Sequence, residues 1–249
     1  MGFDIFTTLE ILQKTLNIIF IIISLLIGSL IILKYFQYKK SPIFITVGLA
    51  WVFMSSSWWS IAINFILIGF FNTALPSFWY LFIERGLIMF GLFFWLYSFA
   101  KLVYYQYQKY LIYSSFIICA FIESIIIIIL LISPSLIGAP IPEKPYEYTH
   151  TIFDILLLLG ILIAVVVTGI LFSLQSIKSD DITLQWKGRF LFLSFISFVV
   201  GSILNGLLHI LIPFNAFTTI LIRGILISSA IEYYLGFFLP KTLFKSSSQ

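Results

Sequence analysis

Five charged side chains and a histidine stand inside stretches that are otherwise almost wholly apolar: Glu84, Arg85, Glu123, Asp154, Arg223 and His209. A charge in hydrocarbon costs about 2.5 to 3.5 kcal/mol on insertion scales, so each calls for a partner, water or a ligand. Asn64 and Asn205 accompany them, and Asn205 and His209, four apart, share one helix face. Arginines set among carboxylates are the chemistry of anion binding through charge-assisted hydrogen bonds, and a histidine beside them adds a group that responds to pH. Trp58, Trp59 and the run Ser55-Ser56-Ser57 could floor such a site. The competing reading is structural. Glu84 or Glu123 pairs with Arg223, while Asn205 and His209 bond across helices at about 0.6 kcal/mol each.

Other chemistries lack their residues. Covalent retinal needs a lysine within the last span, where Arg223 and Glu232 stand without one, so no retinal is expected. The two histidines, His150 and His209, show none of the spacing of a hydrolytic metal site, and haem between them is the less common use of such residues. No GxSxG, Gly-Asp protease pair or glycine-rich phosphate loop is present. An enzyme would have to use Asp154, Glu84 and His209 as acid and base groups; no catalytic residue and no cofactor are assigned. One cysteine, Cys119, excludes an intramolecular disulfide.

The elements that must position these groups follow from composition. The 249 residues are 61% hydrophobic and 10% charged. That is too greasy for a soluble core, so lipid is the expected solvent and the bilayer the first partner. About 20 residues at 1.5 Å each cross a hydrocarbon layer of about 30 Å. Seven spans meet that length: 15–33, 44–69, 79–100, 110–131, 151–174, 190–211 and 217–239. The chain is read as a single all-α domain over 1–249, a seven-transmembrane-helix bundle. Span interiors lack proline, so broken helices are not expected. Ser197/Gly201, Ser202/Gly206 and Gly224/Ser228 are small-residue pairs expected to let helices approach closely. The four prolines between Ser133 and His150 predict a non-helical loop, either a linker or a lid carrying Tyr146, Tyr148 and His150.

Orientation follows from the basic residues. Lys34, Lys39, Lys40, Lys101, Lys109, Lys178, Lys187, Arg189, Lys241 and Lys245 fall on one side, against Lys14 and Lys144 on the other. By the positive-inside rule the N-terminus is outside and the C-terminus cytoplasmic, in a multi-pass protein of the cell membrane. The net charge of +4 is spread over short loops rather than one patch, which argues against nucleic acid. Counted inward, Glu84, Arg85, Arg223, Asp154, Asn205, His209, Glu123 and Asn64 all fall in the outer layer of the membrane.

Trp58-Trp59 and the closing run from Glu232 to Pro240 resemble uncharacterised prokaryotic seven-span proteins, some similar to the membrane sensor halves of signalling kinases. The resemblance brings no functional residues. With ten residues beyond span seven, it implies output through a separate cytoplasmic partner. The expected function is therefore a sensor or receptor-like binding module with an extracytoplasmic polar pocket. The alternatives are a small transporter or channel, which needs polar groups continuing inward, and a structural subunit.

Overall fold

The computed structural model describes residues 2–37, 41–142, 144–211 and 215–239, without the side chains of Pro145 and 207–211. Among the described residues 86% are helical, with seven helices long and apolar enough to cross a membrane. These are α1 (Thr8–Gln37), α2 (Ile43–Phe71), α3 (Ser77–Val103), α4 (Gln108–Ile132), α5 (Ile152–Ile177), α6 (Ile182–Leu211) and α7 (Ala216–Phe238). Each apolar run read from the sequence falls on one of them, with Thr151 and Leu239 at the ends of two runs standing just outside as caps.

The first helix starts well before the apolar run. Thr7 Oγ1 accepts from the amide of Glu10, and Glu10 Oε2 accepts from the amide of Thr7 at 2.7 Å. That reciprocal cap satisfies two otherwise orphaned donors and begins α1 at Thr8. Lys14, expected in an outer segment, is therefore a buried helix residue. Asn215 and Thr218 cap α7 in the same way.

Six helices form a ring in the order α1, α2, α3, α5, α6, α7, with α7 closing on α1; α4 lies outside the ring against α3. Phe116, Ile117, Phe121, Ile128 and Leu131 of α4 are exposed, as suits a helix facing lipid. Glycine decides where helices touch most closely. A Cβ on Gly48 would lie 2.6 Å from the Gly28 carbonyl oxygen, so α1 and α2 meet backbone to backbone there. Of the expected small-residue pairs, Ser197/Gly201 presses Gly201 on Leu226 of α7, whereas among the described residues nothing crowds Gly206 or Gly224. Among the tightest approaches are those of Gly28 and Gly169, which have Ser24 and Ser173 four residues away on their own helices.

The expectation of unbroken helices is corrected. Span two changes to a 3-10 turn over Ser55–Trp58, and span three contains a π-helical turn over Phe82–Gly86. Neither needs proline. Ser55 Oγ donates back to the Val52 carbonyl at 2.7 Å. A local bond of this kind competes with helical pairing. The two irregular turns face each other, and Ser57 Oγ donates to the Glu84 carbonyl at 3.4 Å.

The proline-rich loop is an antiparallel hairpin of β1 (Gly138–Ile141) and β2 (Lys144–His150), with a register irregularity at Pro140/Ile141. Gly138 is required there, since a Cβ would fall 2.7 Å from the Thr149 carbonyl oxygen. At the opposite end of the ring the core is aromatic. Trp51 stacks on Tyr233 at 4.4 Å, and Trp95 packs on Phe195 at 4.7 Å while donating to Thr168 Oγ1.

Candidate ligand pocket

The π turn decides what α3 presents. It is wider than an α-helical turn, and adjacent Glu84 and Arg85 are both buried within it. Arg85 Nε donates to Asp154 Oδ1 at 2.5 Å and Nη2 donates to Oδ2 at 2.7 Å. Two parallel bonds of this kind make a bidentate clamp. Its Nη1 lies 3.1 Å from Glu84 Oε1. Asp154 is the third residue of α5, and its amide donates to Thr151 Oγ1, the N-cap. Its carboxylate therefore also benefits from the positive end of the helix.

His150 closes the group from the hairpin. Its Nδ1 is 2.9 Å from Asp154 Oδ2 and its Nε2 is 3.6 Å from Glu84 Oε1. Burial lowers the affinity of this imidazole for a proton. The Glu84 charge and the hydrogen bond to Asp154 outweigh that, and the balance raises its pKa above the ordinary histidine value.

A second network pins the hairpin to α1. Lys144 Nζ lies 2.5 Å from Glu10 Oε1, and Glu147 lies 3.7 Å from Lys14 Nζ. Lys14 Nζ also sits 5.4 Å from the ring centroids of both Phe6 and Tyr146. At that range the ring faces attract the ammonium. Tyr148 stacks on Tyr80 of α3 at 4.1 Å and donates to Ser77 Oγ at 3.0 Å. The hairpin is thus held by α1 and α3 at once.

Beneath it lies a cavity of about 490 Å³ lined by α1, α2, α3, α5, α6, α7 and the hairpin. That is the size of a small-molecule site. Its hairpin end is polar and its deeper wall is apolar, with Met54, Ile88, Leu162 and Phe198. Arg223 of α7 lines this cavity with 3% of its surface exposed. Its Nη1 is buried without a hydrogen-bond partner, and no ion pair reaches it among the described residues.

The cavity gathers Glu84, Arg85, Asp154, Asn205, Arg223 and Trp58 of the residues singled out in the sequence. Three others lie elsewhere. Trp59 turns away from the cavity and donates to Ser55 Oγ. Asn64 ties the hairpin down, donating to the Tyr146 carbonyl while accepting from the Leu75 amide at 2.8 Å. Glu123 belongs to peripheral α4 and abuts Gly86, where a Cβ would come within 3.1 Å of its Oε1. His209 lies outside the residues whose side chains are described. The expected pairing of Arg223 with Glu84 or Glu123 is not found among the described residues, because the π turn carries Glu84 onto Arg85.

Lys14, Glu147 and Tyr80 line the cavity without having been singled out for it, and His150, Tyr146 and Tyr148 line it from the loop read as a linker or a lid. The Thr7/Glu10 spacing, a capping-box pattern, was the available signal that Lys14 belongs inside a helix. Nothing in the local sequence around Glu147 or His150 points to a partner on another element.

Comparison with protein-family models and with curated proteins gives no match for this chain.

Proposed function

We propose that this chain is a membrane receptor-like binding module that admits a small ligand from the extracytoplasmic side and signals through a separate partner. The observation that carries the reading is the cavity of about 490 Å³ into which charged groups from four ring helices and the hairpin converge. The charge bias of the loops supports placing the hairpin end outside the cell. The packed layer of Trp51, Tyr233, Trp95 and Phe195 closes the ring below the cavity, which favours binding over passage. Transport would require polar groups to continue past that layer, and there Thr168 is already engaged by Trp95.

Cysteine accessibility tests the reading. Cys119, the sole cysteine, is first replaced by serine. In oriented membranes, Ser202→Cys on the cavity wall should react with a small membrane-impermeant thiol reagent from the extracytoplasmic side. Reaction from the cytoplasmic side alone, or from neither, would sink the proposal.

A further inference from the structure

Resting on that binding-module reading, we propose that Arg223 is the seat for the negative charge of a monoanionic ligand with an apolar body. The charges around the cavity sort into closed groups. Lys14, Lys144, Glu10 and Glu147 form one network with two cations and two anions. Arg85, Glu84, Asp154 and His150 form the other, and a protonated His150 balances it. Among the described residues, Arg223 belongs to neither. It presents a guanidinium to the cavity from α7, at a position where burial deprives it of bulk water.

A buried charge without a partner is costly, so a site built this way favours whatever brings the missing countercharge. The fork of the guanidinium matches two oxygens of one anionic head. One countercharge is what the site lacks, so a dianion would leave a charge unmatched and a cation would face repulsion. The apolar wall of Ile88, Leu158, Leu162 and Phe198 then takes the remainder of the molecule. A free organic carboxylate and the phosphodiester head of an anionic lipid share this chemistry.

The test uses the full chain in phosphatidylcholine nanodiscs, titrated with 4-phenylbutyrate and with 4-phenylbutanol as its uncharged counterpart. Saturable binding of the carboxylate over the alcohol is expected. Arg223→Gln should weaken it by about 10- to 100-fold, as loss of a charged hydrogen-bond partner does, and Arg223→Lys, which keeps the charge but not the fork, should fall between the two. Leu162→Trp, which keeps the arginine but fills the apolar wall, should also abolish it. Discs containing phosphatidylglycerol separate the two sources. If that lipid competes with phenylbutyrate, or binds in its place in an Arg223-dependent way, the seat takes lipid heads. Equal binding of acid and alcohol, an unchanged Arg223→Gln variant, or no Arg223-dependent binding of either anion would overturn the proposal. Retained reactivity of Ser202→Cys in that event would leave the pocket standing and remove the anion seat alone.

Discussion

At the scale of single residues, the charged groups of the cavity other than Arg223 are held by one another, and His150 is the member of the Arg85 cluster whose ordinary pKa lies closest to neutrality. It faces Glu84 and Arg85 from α3 and Asp154 from α5, and its side chain keeps 30% exposure. Folding raises its pKa. Its contribution is therefore complete below the unfolded value of about 6.5 and fades as pH rises through the folded value. Hairpin closure should weaken on the alkaline side. Hydrogen exchange at the amides of β2, followed upward from the ordinary histidine pKa of about 6.5, should show protection falling as pH rises. His150→Gln should remove that dependence. A flat profile in the unaltered protein would contradict the geometry of the cluster.

At the scale of elements, the two irregular turns do more than the regular helix around them. The π turn of α3 buries Glu84 and Arg85 together, and the 3-10 turn of α2 brings Ser57 and Trp58 to the same cavity. Such departures hold only where the neighbouring helices fix the backbone firmly. Elsewhere in the ring, α1 and α2 meet backbone to backbone at Gly28 and Gly48. Gly48→Ala would push a methyl group against the Gly28 carbonyl oxygen, and overpacking of this kind costs about 1 to 3 kcal/mol. The thermal midpoint in nanodiscs should drop accordingly, whereas Gly224→Ala, at a site that nothing crowds among the described residues, should leave the midpoint unchanged.

At the scale of the whole molecule, the ring of six helices leaves a space at the hairpin end and fills the opposite end with aromatic rings. Among the described residues, the interior of the ring therefore has room for a ligand at its hairpin end. Which compartment that end faces is read from the lysines and arginines of the loops, and the reading has a direct check. With Cys119 replaced, Thr149→Cys on the hairpin and Ser179→Cys on the α5–α6 connection should be labelled by an impermeant thiol reagent from opposite sides. Labelling of both from one side would remove the odd number of crossings on which the orientation depends.

Hydrophobicity by itself determined that there are seven helices and where they run, because the requirement for internal backbone hydrogen bonding in lipid leaves an apolar run of that length few other forms. It also marked Glu84, Arg85, Asp154 and Arg223, since charge in an apolar run stands out whatever the fold. Which charges meet was decided by the tertiary structure. The π turn places Glu84 against Arg85, the ring excludes α4 and with it Glu123, and the hairpin delivers His150 and Glu147 from a segment whose residues read equally well as a linker or a lid. Pairing depends on helix rotation and on contacts between residues as far apart as Arg85 and Asp154, and neither is encoded in any local pattern of residue types.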